Sequence, residues 1–203
     1  MMRATVPVRW FFILLFPILI AGCATRPPAP VPAAEAVWLA HRSALETLTH
    51  WQVRGRVGVR AGDEGWNASF DWRQQGDRYL IRLRGPFGQG AVELAGNAQG
   101  VWLTQSGQPA VFARDAETLL EREIGWRLPV SGMSDWLRGL PTAAEQAEFA
   151  WDAQGRLRHL RDNGWQIDYT AYQQAQSLDL PVRLTLEREH LRVKLVLDQW
   201  QVL

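Results

Sequence analysis

The sequence predicts a mainly β protein of the α+β class, an unclosed antiparallel barrel of about eleven strands. Three observations carry that expectation. From Val53 onward apolar and polar residues alternate with period two through most of the chain, the pattern of half-buried strands. Short turn signals recur between these runs, among them Gly62-Asp63, Gly76-Asp77, Gly96-Asn97 and Asn163-Gly164, so the connections are hairpins. Only two amphipathic helical pieces interrupt the strands, and so many antiparallel strands rarely stay flat.

The chain opens with a segment outside this pattern. Arg3 and Arg9 form a positive region, Trp10 to Ile20 is an apolar run, and Ile20-Ala21-Gly22 supplies small residues before Cys23. About a dozen apolar residues fall short of the ~20 that a spanning helix needs, so residues 1–22 are expected to be a signal peptide. Ile20-Ala21-Gly22-Cys23 resembles the lipobox of bacterial lipoproteins. That resemblance implies a diacylglyceryl group on the Cys23 sulfur, an acyl group on its amine and, with Ala24 next, an outer-membrane address. Several chains on one residue anchor stably, since each buried methylene contributes ~0.8 kcal/mol. The alternative is an ordinary signal peptide with a chance cysteine. Residues 23–34 are then the lipidated N-terminus and a tether, because Thr25 to Pro32 is dense in proline and favours polyproline II.

The domain proper, residues 35–203, is read in order. Ala33 to Leu48 is a helix with Trp38, His41, Leu45 and Leu48 on one stripe. Strands follow through Val53, Val57 and Val59; Trp66 to Trp72; Tyr79, Ile81 and Leu83; Val92 and Leu94; Val101 and Leu103; and near Val111. Ala116 to Ile124 is a helix capped by Asp115 and Gly125. A shorter helix through Met133, Trp136, Leu137 and Leu140 is opened by Ser131 or Ser134 and stopped by Pro141. Strands resume at Phe149–Trp151, Arg156–Arg161, Trp165–Tyr169, Val182–Leu186 and Leu191–Leu197. Trp200 and Val202 fall out of phase with the last run, which places a bulge near Asp198. The helical pieces can lie over the barrel as a lid above an apolar cavity; a core filled by the protein's own side chains fits the same pattern.

Trp72-Arg73-Gln74-Gln75-Gly76-Asp77-Arg78-Tyr79, Gly85-Pro86-Phe87-Gly88, Val92-Glu93-Leu94, Trp136-Leu137-Arg138-Gly139-Leu140-Pro141 and Leu197-Asp198-Gln199-Trp200 are similar to segments of the LolB family of outer-membrane lipoprotein receptors. The resemblance runs from about Trp38 to the C-terminus. It implies an unclosed eleven-stranded barrel with a helical lid over an apolar cavity. It implies a receptor that accepts lipoproteins from the periplasmic carrier LolA and inserts them into the inner leaflet of the outer membrane. The partners so implied are LolA, the acyl chains of lipoproteins, and outer-membrane phospholipid, with the protein a lipid-anchored monomer on the periplasmic face. The family carries an apolar tip on a loop of Asn-Pro-Leu-Gly context; here the matching residues are Gly85, Pro86, Phe87 and Gly88, so the tip falls to Phe87. The bland alternative folds Phe87 back onto the core.

Composition excludes other classes. Hydrophobic residues are 47% and charged ones 21%, so the body is globular, and a net charge of +1 is too small for a nucleic-acid partner. The single cysteine allows no internal disulfide and no Cys-rich metal site. His41, His50, His159 and His190 lack metal-ligand spacing, and no Gly-x-Ser-x-Gly, Walker or dinucleotide motif is present, so neither enzyme chemistry nor a cofactor beyond the Cys23 lipid is expected. Glu121/Glu123 and Glu187/Glu189 fit ordinary solvated faces.

With no nucleotide site, transfer would run downhill in affinity. Strand parity nominates Trp66, Phe70, Trp72, Tyr79, Ile81, Leu83, Trp151, Trp165, Ile167 and Tyr169 as cavity residues, with Trp136 and Leu140 on the lid. Two rival functions stay open: a structural or envelope-binding lipoprotein with a filled barrel core, and a lipid-handling enzyme with a nucleophile or metal inside the cavity.

Overall fold

The computed structural model describes residues 33–86 and 90–203. The leader, Cys23, most of the linker and the loop residues Phe87 and Gly88 lie outside them. The chain begins with helix α1 (Ala33–Glu46), followed by six strands: β1 (His50–Ala61), β2 (Glu64–Gln75), β3 (Arg78–Arg84), β4 (Ala91–Asn97), β5 (Gly100–Gln105) and β6 (Val111–Ala113). Helices α2 (Ala116–Ile124) and α3 (Val130–Trp136) come next. Five strands close the chain: β7 (Glu148–Trp151), β8 (Leu157–Asp162), β9 (Trp165–Ala175), β10 (Leu178–Arg188) and β11 (Leu191–Val202).

All eleven strands pair into one antiparallel sheet in the order β6-β5-β4-β3-β2-β1-β11-β10-β9-β8-β7. Every neighbour is also a sequence neighbour except β1 with β11. The two edges, β6 and β7, are therefore the strands that the helical connection α2–α3 joins. The sheet is not closed, as the alternation and the hairpin signals predict.

Irregularities in the ladder supply curvature. Arg54 faces Gln199 but Gly55 faces Leu197, so Asp198 is an extra residue, the bulge that the phase of Trp200 predicts. Gly55 is needed there: a Cβ would run into the Val196 carbonyl oxygen. In β10 the register slips beside Pro181, and that slip admits a proline inside a strand. The freed Pro181 carbonyl accepts from Trp200 Nε1 at 2.8 Å. Asn163 and Gly164 both take positive φ, as a type I′ hairpin requires.

The helices divide the concave side. α1 covers the β7–β10 half, where Trp38 stacks on Trp151 at 5.8 Å and His41 sets its ring nitrogens 2.9 Å and 3.2 Å from the carbonyls of Gly155 and Asp179. α2 and the start of α3 cover the other half, and the end of α3 returns over β8 and β9, where Trp136 meets Asp162 and Tyr169. Asp115 caps α2, its carboxylate accepting from Thr118 N at 2.6 Å, and Gly125 closes the helix in the left-handed conformation. The dispositions of Ser131 and Ser134 differ from the sequence expectation. α3 starts after Pro129 with no side-chain cap, and Ser131 instead donates its N–H and hydroxyl to Glu117 of α2 at 2.8 and 2.6 Å. Leu137 to Leu140 lie in a turn beyond the helix rather than within it.

Candidate functional site, an apolar cavity under a helical lid

Between the lid and the first half of the sheet lies a cavity of about 60 Å³ into which the described residues turn no polar surface. The sheet contributes Val57 and Val59 from β1, Trp66, Phe70 and Trp72 from β2, and Ile81 and Leu83 from β3. Leu94 of β4 and Val193 and Leu195 of β11 complete that side, and Leu120, Leu128, Val130 and Met133 form the roof. Water fills a liquid at ~30 Å³ per molecule, so this space is far smaller than an acyl chain. The concave side is thus neither vacant nor sealed.

Five of the residues nominated by strand parity meet here: Trp66, Phe70, Trp72, Ile81 and Leu83. Tyr79 stands beside them in an outer groove, its ring lying over Gly96, where a Cβ would collide with it. Burial, and then the carboxylates of Glu117 and Asp115, push the Tyr79 phenol up to about 12, so it is neutral at any physiological pH. The other six are not at the cavity. Trp151 is held against α1 by Trp38, whereas Trp165, Ile167, Tyr169, Trp136 and Leu140 form solid core under the C-terminal end of the lid. Parity puts a side chain on the concave face but does not say which half of that face the chain itself fills. Val57, Val59, Leu94, Val193 and Leu195 share the same parity and belong in the set.

The two ends of the lid are attached differently. At the α3 end, Asp162 is buried and its carboxylate accepts from Trp136 Nε1 at 2.9 Å, Thr142 N at 2.7 Å and Thr142 Oγ1 at 2.8 Å. Tyr169 donates its hydroxyl to the Trp136 carbonyl at 3.0 Å; burial raises that phenol far above its ordinary range. Arg138 ties the same end to α1, donating to the Leu48 carbonyl at 3.0 Å and the Leu45 carbonyl at 3.3 Å while pairing with Asp135. Desolvation raises the Asp135 carboxyl despite that pairing. The α2 end is different. Among the described residues no side-chain hydrogen bond links residues 115–131 to the sheet; their bonds, such as Glu117 with Ser131 and Glu121 with Arg127 at 3.0 Å, stay within the lid. That end rests on apolar contact alone, including Trp126 edge-on to Trp66 at 6.4 Å between ring centroids.

Fold and site together define a curved-sheet protein with a lidded, wholly apolar pocket, a class suited to greasy ligands. A solved LolA superfamily protein from Nitrosomonas europaea shares the fold, with a TM-score of 0.52 at 9% identity over 85% of this chain and 94% of that one. The family model described as outer membrane lipoprotein LolB matches residues 49–200. Proteins named outer-membrane lipoprotein LolB are similar over nearly the whole chain. That of Stutzerimonas stutzeri is 38% identical over 91% of each chain, and that of Pseudomonas paraeruginosa is 40% identical over 90% of this chain and 91% of its own. The chain belongs to the LolB family. It is an outer-membrane, lipid-anchored protein with a role in lipoprotein localisation.

Proposed function

We propose that the protein accepts the acyl chains of lipoproteins handed over by the periplasmic carrier LolA and releases them into the inner leaflet of the outer membrane. The observation that carries this reading is the apolar cavity roofed by a lid whose α2 end, among the described residues, makes no side-chain hydrogen bond to the sheet. Moving a sixteen-carbon chain out of water gains ~12 kcal/mol at ~0.8 per methylene, so the chains need a continuous apolar route. The cavity as it stands is too small, so uptake requires the α2 end to lift while the Asp162 end holds. Lifting exposes apolar surface on the lid underside and the sheet, and the arriving chains cover it again. No step needs a nucleophile or a metal: the process is transfer down a ladder of affinity, from carrier to receptor to bilayer. In this reading Phe87 enters the bilayer boundary as Gly85, Pro86 and Gly88 shape the turn that carries it.

The test fills the cavity. Met133→Trp adds a ring to the roof, and the variant is expected to take up a fluorescent hexadecanoyl probe, or a lipoprotein presented by the carrier, at least ~10-fold less well, since interiors at crystal-like density have no spare volume. Its melting temperature should stay within a few degrees of the parent. Undiminished uptake would remove the cavity from the route. A parent protein that takes up no probe would point to a structural lipoprotein with a filled core.

Cys23→Ala is expected to give a soluble, folded periplasmic protein that still accepts lipoprotein, because the buried core from Trp38 to Trp200 is built from residues of the domain itself. Fractionation and circular dichroism check this; an unfolded product would make the anchor part of the fold.

A further inference from the structure

The outer face of the sheet carries charge in rows, and one row stands apart. Reading across β3, β2, β1, β11 and β10, the paired residues are Arg84, Ser69, Arg56, Val196 and Arg183. All three arginines are exposed, on alternate strands, and Lys194, the only lysine of the chain, lies two residues from Val196 on the same face. Strands are ~4.8 Å apart, so neighbouring arginines of the row sit roughly 10 Å from one another. In the adjacent row the cations are neutralised in place: Arg82 holds Glu93 at 2.8 Å and Arg54 holds Asp71 at 2.7 Å. The three arginines of the row and Lys194 beside it share one carboxylate among the described residues, Asp198, 3.2 Å from Arg56 in a solvent-exposed pair of little strength.

This row borders a surface depression of about 650 Å³ to which Arg56, Arg84 and Lys194 contribute, with Gly58, Ser69 and Val196 among its small or apolar floor residues. The described base of the β3–β4 loop, Gly85 and Pro86, forms one wall. A concave basic surface with a low floor suits a small anion carried on a larger body, and each guanidinium can bond two oxygens of a phosphate.

We infer that this face is a docking surface for a phospholipid bilayer, with Arg84, Arg56, Arg183 and Lys194 contacting lipid phosphates. The bilayer is the favoured occupant on two grounds. The charge is complementary to phosphate, and the protein is lipid-anchored, so a membrane is always within reach of its tether. The assignment rests on the proposed delivery of lipoproteins to that same membrane, and adds where the body of the protein touches it.

The experiment uses residues 23–203 with Cys23→Ala, so that neither the apolar leader nor the lipid anchor holds the protein to vesicles, and measures sedimentation with phosphatidylcholine vesicles containing or lacking phosphatidylglycerol. One variant is Arg56→Gln with Arg84→Gln and Lys194→Gln; the charge-matched control is Arg73→Gln with Arg78→Gln and Arg158→Gln, all exposed and off the row. At ~5-fold per cation near an anionic surface, the row variant should bind phosphatidylglycerol vesicles about a hundredfold less well and the control within about threefold of the parent. Binding should weaken with salt and resist competition by soluble glycerol phosphate. Equal losses in row variant and control would reduce the effect to net charge, and no loss in either would remove the site; both overturn the assignment. Effective competition by glycerol phosphate would make it a free-phosphate pocket and overturn the bilayer. Lipoprotein acceptance from the carrier in solution is followed in parallel: its loss in the parent sinks the receptor reading, whereas its survival beside unchanged vesicle binding sinks only this surface.

Discussion

Asp162→Ala is expected to lower the melting temperature by roughly 10 °C. The carboxylate is buried and accepts from the Trp136 indole, the Thr142 backbone and the Thr142 hydroxyl, which in turn accepts from Asn163 Nδ2 at 2.8 Å. Truncation leaves a buried indole N–H and a half-buried backbone N–H without their acceptors, and a lost network of this kind costs about 3–5 kcal/mol. A domain of this size loses ~2–4 °C per kcal/mol. Asp162→Asn should fall between, because one amide oxygen can still accept while the amide N–H groups bring donors that face Trp136 and Thr142, themselves donors. Thermal melts of the three proteins check the order. A melt of the alanine variant within about 2 °C of the parent would show that this end of the lid is held by packing alone, and with it the idea of one fixed and one free end would go.

Part of this arrangement is legible in the sequence and part is not, for reasons that differ residue by residue. The strands are visible because one face is buried and the other wet along nearly every run, so Val53, Val57 and Val59 or Trp66 to Trp72 declare their parity locally. The bulge at Asp198 is visible for the same reason: Trp200 must point inward, and one extra residue is needed to turn it. The cap by Asp115 is visible because its bond reaches only three residues. What stays hidden is whatever depends on distant partners. Ser131 looks like a helix cap, but its hydroxyl finds Glu117 fourteen residues earlier, on a helix whose position no local rule supplies. Asp162 reads as a hairpin residue beside Asn163-Gly164; that it receives Trp136, twenty-six residues away, follows only from how the connection folds back. The cavity set fails in the same way. Trp165, Ile167 and Tyr169 face inward as surely as Phe70 and Ile81 do, but Trp136 and Leu140 descend onto the first three and leave the gap above the others. Parity gives the face of a strand, and only packing decides whether that face meets a neighbour or a void.

Phe87→Glu should leave uptake of lipoprotein from the carrier at the parental level and cut delivery to membranes by about 10- to 100-fold. The two halves of that expectation have separate causes. Uptake in the proposed mechanism depends on the cavity, whose walls among the described residues come from β1–β4, β11 and the lid. Delivery in the proposed mechanism depends on the tip entering the bilayer boundary, where burying a phenyl ring is worth about 1.5–3 kcal/mol and a carboxylate adds a desolvation cost instead. Phe87→Leu keeps most of the apolar area and should keep most of the delivery, which separates the need for a greasy tip from a need for aromatic shape. The measurement is a two-stage assay: labelled lipoprotein is first loaded onto the receptor from the carrier, then the loaded complex is mixed with phospholipid vesicles and the label in the floating fraction is followed over time. If the glutamate variant fails at the first stage, Phe87 belongs to the fold or the carrier contact. If it passes both stages at the parental rate, the ring lies back on the body of the protein, and the acyl chains reach the bilayer by a path that needs no insertion of this loop.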